Sequence, residues 1–591
     1  MTSQLKRRAG LFALAILLLS LAVPAVGDPT TAPDAAASAD WPQWRGPNRD
    51  GVAPASPKLM DTWPANGPKI VWESAVLPGC PGEFGGGFGG VVVSGGKAFV
   101  YYMGQVPKNE KLKGIKFITA EVLKGWDWRP DIPEDLAKKV DEAMRGMDKV
   151  GTVRRDSDPK WIAYIDKFIA TLDPKVVEEY GSWVKQRFKV HYYSYGSDLV
   201  RPQNWLTWGE LKKLAALQDK EWASRREFND AWYKLNELGW AHRDGGVDEA
   251  FDAAFSAASQ RADILWCLDA ATGKEVWKTA VPQSYELNGY HRLFGGGGTP
   301  VVVGDRCYVS GCFGTFCVSS KDGKLIWRAD PKNTTWASPL VADGKVFSQA
   351  GPLAAYNAEN GQLLWKQPKV NGDEAAPTLW FSSGKQYIIA GTMGGVFCVT
   401  PDKGDIVWQL PQHTHFAPVL VGDEMVIPID TGKDGGRLYK FKLSPDKAEQ
   451  VWVSPEMGWG GESGMMGTPV VYKDHIYSIF DHPRCFDFKT GEMKWEEKAY
   501  KLGPKNQYAM PIVVDGKVIE SRAYCDKDCI LMFKASSEKC ERLGGFLVGL
   551  PLDGLEKNFP NSVAPQAVAD GHLFVRMCDR VSCFDLRAAQ N

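Results

Sequence analysis

The stretch Cys485–Trp495, CFDFKTGEMKW, recurs along this chain. The same eleven-residue frame returns as CLDAATGKEVW (Cys267–Trp277), CVSSKDGKLIW (Cys317–Trp327), AYNAENGQLLW (Ala355–Trp365) and CVTPDKGDIVW (Cys398–Trp408). Each copy has a small residue first, glycine seventh and tryptophan eleventh. Ahead of each stands another strand pair with its own turn, as in TPVVVGDRCYV before Cys317 and SPLVADGKVFS before Ala355. One unit therefore carries four strands.

A repeat of about 40–45 residues with four short strands is the signature of a β-propeller blade. Gly273, Gly323, Gly361, Gly404 and Gly491 fall where a tight hairpin needs a positive φ. Trp277, Trp327, Trp365, Trp408 and Trp495 close the fourth strand, where a large amphipathic ring wedges between blades and bonds through its indole N–H. With about 150–250 Å² buried per ring at about 25 cal/mol per Å², each contributes up to roughly 4–6 kcal/mol. The first full blade begins in GFGGVVVSGGKAFVYY, and later ones near Gly298, Ala337, Ala376, Ala417, Gly467, Ala509 and Ala564, which makes an all-β, eight-bladed ring. The last blade ends at CFDLRAAQN with three strands and no tryptophan, while PKIVWES around Trp72 is a fourth strand without a blade. The expectation is that the second completes the first and so removes an exposed edge. Two blades depart from the frame: the fifth reaches Trp452 through a longer segment, and the seventh, SSEKCERLGGF, has no tryptophan.

Charge excludes little beyond nucleic acid: 70 Lys and Arg against 71 Asp and Glu give no basic footprint. The N-terminus is more informative. Lys6, Arg7 and Arg8 precede the apolar run Leu11–Val23, and Ala25-Val26-Gly27 supplies small residues for cleavage, so residues 1–27 read as a signal peptide. The mature chain is then exported, periplasmic or extracellular, without a transmembrane segment. Residues 28–40 form a Pro/Ala/Thr-rich linker, and residues 41–105 hold WPQWRGPNRDG, the closing strand and the start of the first blade. From Val106 to Ala262 the period changes from two to helical, with segments opened by Pro, Asp or Thr caps; this insert stands between the second and third strands of the first blade, so it emerges beside the loops that join successive blades. Residues 263–591 complete the propeller. Of the twelve cysteines, Cys267, Cys317, Cys398, Cys485 and Cys583 take the first position of the frame and read as small buried fillers; Cys525 and Cys529 flank a short turn and are the candidate disulfide.

The loops between blades offer Glu83, His291, Arg292, Trp336, Glu374, His413, His415 and Glu462 as candidate residues around the channel mouth, either a functional pocket or ordinary polar loop residues around a solvent-filled channel. His413 and His415 alone make a weak metal pair, so no metal site is assigned. The glycine runs do not open helices, which argues against a nucleotide cradle.

The frame resembles the tryptophan-docking motif of quinoprotein alcohol dehydrogenase-like propellers, and WPQWRGPNRDG resembles the opening of exported bacterial PQQ-repeat proteins. The family contains pyrroloquinoline quinone (PQQ) dehydrogenases and a non-enzymatic propeller of the outer-membrane assembly machinery. For the enzymes the resemblance implies a quinone stacked above the channel, Ca²⁺ held by carboxylate and amide oxygens, and an Asp base. Here there is no adjacent Cys-Cys pair, no CxxCH haem motif and no match to the Asp base. The expectation is a binding or assembly scaffold in the envelope with a protein or peptide partner and no assigned cofactor. The alternatives are a haem-free dehydrogenase using PQQ and calcium, with Trp336 or Trp459 as stacking floor and Glu83, Glu374 or Glu462 as calcium ligand, and a sugar- or peptide-binding module using the insert.

Overall fold

The computed structural model describes residues 40–589 except 76, 78–86, 88, 109–113, 147–149, 151–157, 192–200, 203–205, 223–226, 229–230, 232–246, 248–249, 251–253, 255–257, 286–295, 331–332, 431–435, 458–466, 480–481, 499–509, 522–529, 547–564 and 578–579. Eight four-stranded antiparallel sheets form the ring. Blade 1 is built, from the axis outward, from Val91–Ser94, Lys97–Pro107, Ser259–Asp269 and Glu275–Pro282. Blades 2 to 7 follow in order with inner strands beginning at Val301, Leu340, Thr378, Val419, Val470 and Ile512. Blade 8 takes its three inner strands from residues 567–585, and its outer strand is Lys69–Glu73, paired antiparallel with Val581–Asp585. The ring is therefore closed by a strand from the other end of the chain.

The frame works through contacts between neighbours. Trp327 of blade 2 lies on Gly361 of blade 3, where an added Cβ would sit 2.6 Å from the ring, and its Nε1 donates to Ala358 O at 2.9 Å. Trp72, Trp365, Trp452 and Trp495 donate in the same way to Ala270, Pro401, Phe488 and Ser536, and Trp408 to Ser444 at 3.3 Å. Trp277 stacks on Gly323, but its Nε1 has no partner among the described residues. Across the strand, each of these rings except Trp452 faces the small first residue of its frame, as in Cys317 opposite Trp327 and Cys485 opposite Trp495. The register slips by one residue next to that pair in every blade. A bulge on an outer strand twists it and blunts it as a template for further strands.

Two irregular blades are repaired from a distance. In blade 5 the position opposite Trp452 is Lys440, whose buried ammonium reaches Glu424 at 2.7 Å and Phe488 O at 3.0 Å and lies 3.8 Å from the Phe488 ring centroid. In blade 7 the corresponding pair is Met532 and Gly544, and the missing indole is supplied by Trp63, whose backbone N–H donates to Leu543 O and whose ring covers Gly544 and meets Phe546 edge-on at 5.3 Å.

In an alternating four-stranded blade, the second-to-third connection shares a face with the blade-to-blade loops, so the insert emerges on that face, the cap face. The first blade's long strands run through Pro107 and resume at Ser259, slightly inside the 106–262 limits read from sequence. Between them lie α1 (Ala120–Gly125), α2 (Glu134–Arg145), α3 (Pro159–Ile169), α4 (Pro174–Arg187) and α5 (Trp208–Ala215). Asp158 and Asp173 cap α3 and α4 ahead of a proline, and Thr207 with Glu210 forms a capping box on α5. The insert has its own core, centred on Leu136, Trp161, Trp183, Leu211 and Trp222, separate from those of the blades.

Candidate channel-mouth site

The axis of the ring is filled by residues 41–53, the WPQWRGPNRDG segment. Asp40 accepts from Gly95 N at 3.0 Å in the first hairpin of blade 1, on the face opposite the cap. From there Trp41 exchanges two backbone hydrogen bonds with Val93, and Pro42 O accepts from Val302 N. The segment turns back, and Gly51 and Ala53 bond on both sides of Val513. The hairpin thus threads the channel from the turn face and reverses near the cap face. The channel is therefore not simply solvent-filled: the inner strands turn unpaired edges toward the axis, and this segment pairs with those of blades 1, 2 and 7.

At the reversal, two buried guanidiniums meet the loops that precede the inner strands. Arg45 donates to Thr468 O at 3.1 Å, Pro469 O at 2.7 Å, Pro511 O at 3.5 Å and Asp50 O at 2.8 Å. Arg49 donates to Pro339 O at 3.0 Å, Pro377 O at 3.1 Å and Gln43 Oε1 at 3.2 Å. Their carbons lie 5.7 and 5.4 Å from the Trp44 ring, which packs on Ala376 and Ala417 with Met510 beside it. Burial pulls the Arg49 pKa down to about 9; for Arg45 burial is partly offset by the charges of Asp50 and Glu520, leaving it about 10. Gly51, at φ +82, is required where it stands, because a Cβ would fall 2.6 Å from Arg45 Nη2.

Around this stopper, Trp336, Glu374 and His415 occupy the same place in three successive loops, each three residues before the proline that leads into an inner strand. All three are half-buried. His415 Nδ1 is 2.5 Å from Glu374 Oε2, close enough for an ion pair but outside hydrogen-bonding alignment. Trp336 N donates to Asp373 O at 2.6 Å. The His413 ring turns to Met393 O instead, so the two histidines do not face a common point. Glu83, His291, Arg292, Trp459, Glu462 and the Cys525–Cys529 pair lie outside the described residues.

A buried polar knot anchors the mouth between blades 1 and 2. Asp263 accepts from Tyr101 Oη at 2.8 Å, Cys312 N at 2.8 Å and Phe313 N at 3.0 Å. Burial pushes its carboxyl up to about 6 against the pull of these donors. Sequence reading missed Arg45, Arg49, Trp44 and Asp263; the clustering of Trp, Arg and Gly in a non-repeating opening segment was the available signal for the first three.

A family model described as outer membrane protein assembly factor BamB matches residues 261–497. BamB of Yersinia pestis is 23% identical over 258 residues, 41% of this chain and 63% of that protein. The chain is an eight-bladed propeller similar to the PQQ-like β-propeller family. Tetrathionate hydrolase of Acidithiobacillus ferrooxidans is 22% identical over 44% of this chain and 57% of its own length, so the chain spans less than two thirds of either relative. The quinoprotein alcohol dehydrogenase PedH of Pseudomonas putida is 28% identical over 18% of this chain and 20% of its own.

The enzymes among PQQ-like propellers prompt a test of the mouth for quinone and calcium. Glu374, the one candidate carboxylate among the described residues, faces an imidazole. No three His, Cys, Asp or Glu side chains converge as a cation cage among the described residues. Trp44 already occupies the axis beneath the loops, with two guanidiniums within 6 Å of its ring. The described residues therefore do not fit the quinone and its metal.

Proposed function

We propose that this chain is an exported scaffold of the bacterial cell envelope, docking a protein or peptide partner on its capped face and carrying out no chemistry of its own. The filled axis carries this reading: Trp44, Arg45 and Arg49 stand at the end of the channel above which the resemblance puts a quinone in the family's enzymes. The match of residues 261–497 to an assembly-factor model supports it, and Lys6–Arg8 ahead of Leu11–Val23 supports export. No described helix is long and apolar enough to cross a membrane.

The test is titration of the purified chain with PQQ and Ca²⁺, following tryptophan fluorescence and dye-linked oxidation of an alcohol panel. The expected result is no saturable quenching at micromolar quinone and no turnover. Calcium-dependent quenching with turnover overturns the scaffold reading. A photo-crosslinking residue at position 336 then identifies the docked partner.

A further inference from the structure

We infer that the cap-side end of the axial channel is a guanidinium receptor, filled here by the chain's own Arg45 and Arg49, which accepts an arginine-bearing peptide when the N-terminal segment is withdrawn. The receptor is made of main-chain carbonyls from four blades: Pro339 of blade 3, Pro377 of blade 4, Thr468 and Pro469 of blade 6, and Pro511 of blade 7. The reason it attracts cations lies in the sequence. Pro300, Pro339, Pro377, Pro418, Pro469, Pro511 and Pro565 each stand just before an inner strand. Proline has no N–H, so the axis-facing end of these strands offers acceptors without matching donors. A planar group with donors in a fixed fork suits such a ring better than a single ammonium.

Arg49 shows that recognition rather than filling governs the site. Arg45 feels Asp50 and Glu520, but burial is the sole influence resolved on the charge of Arg49, which is held by carbonyls, the Gln43 amide oxygen and the Trp44 ring. Plugging a hole needs no buried cation, and apolar side chains of similar volume do so at lower cost. Both arginines also adopt left-handed backbone, φ 61 and 60, a conformation bulky residues rarely take. Strain and desolvation are thus accepted to bring two guanidiniums against these carbonyls. The peptide that fits carries arginine beside an aromatic residue, as Trp44 stands beside both guanidiniums. This inference concerns the chemistry of the mouth and does not depend on the scaffold reading.

The experiment uses the full chain carrying Arg49→Ala and a fluorescent peptide of residues 40–53, with a control peptide bearing lysine at both arginine positions. The expected result is saturable binding of the arginine peptide, at least tenfold tighter than the lysine peptide. Millimolar methylguanidinium should raise the variant's Tm above an equal concentration of methylammonium and leave the wild type unchanged. A folded variant that shows neither discrimination overturns the proposal. Should Arg49→Ala fail to fold, the unmodified chain decides. Excess arginine peptide, but not lysine peptide, must increase deuterium uptake across residues 54–67 as the native segment is displaced; equal uptake with both peptides overturns it.

Discussion

Blade 2 and blade 7 obey the same geometry by different means. Blade 2 finds its frame in one continuous run, Cys317 opposite Trp327, with the ring docked on the next blade's Gly361. Blade 7 has Met532 opposite Gly544 and receives its indole from Trp63, far away in sequence. Blade 8 receives a whole strand from Lys69–Glu73, and the axis receives residues 41–53. Five blades of ring are thus written locally, while closure is written once, in the N-terminal arm. Local units tolerate drift, but a ring must also bury its last edge, and only a segment free of any blade is available for that.

The largest expected effect comes from removing that arm. Deletion of residues 40–73 should cost on the order of 5–10 kcal/mol, most of a typical domain's net stability, seen as loss of a cooperative calorimetric transition. Replacing residues 109–257 with a short turn should instead leave the ring's Tm within about 5 °C, because the insert's core is separate. If the two deletions are equally harmful, the contrast between arm and cap fails. Next, Trp63→Ala and Trp327→Ala should each destabilise by about 3–5 kcal/mol in urea unfolding. A cost for Trp63→Ala below about 1 kcal/mol would remove it from the role of docking tryptophan.

A smaller effect is set by pH. In blade 6, burial raises Glu496, but His482, Lys498 and Arg484 outweigh it and hold its carboxyl at about 2 rather than 4.5. Because the folded value is depressed, the stabilisation is fully present above 4.5 and is lost as pH falls toward about 2. Glu496→Gln should flatten stability against pH across that window, measured by urea midpoints. The smallest effect is expected for Lys440→Cys, which restores the frame residue of the regular blades. It deletes a buried cation whose partner Glu424 retains solvent contact, and should change stability by less than about 1 kcal/mol.

The regular blades were legible because their determinants are close in sequence. Gly361 and Trp365 sit four residues apart, and each forces a local geometry whatever lies elsewhere. The pairing of Trp72 with the last blade was also legible, since a strand without a blade and a blade without a strand have one economical solution. The bulge beside each docking pair was not, because it is a property of the register between two strands and shows only once they are paired. At the mouth, the shared spacing before proline brought Glu374 and His415 together, but nothing in that spacing turned His413 toward Met393.

The sequence by itself determined the eight-fold repeat, the hairpin glycines, the docking tryptophans and the helical character of the insert, all consequences of short-range periodicity and backbone preference. Only the tertiary structure decided that WPQWRGPNRDG fills the axis, that Trp63 completes blade 7 and that Arg45 and Arg49 are buried against carbonyls. These depend on which unpaired backbone groups face one another once the ring exists, and that is a property of the assembled circle rather than of any stretch within it.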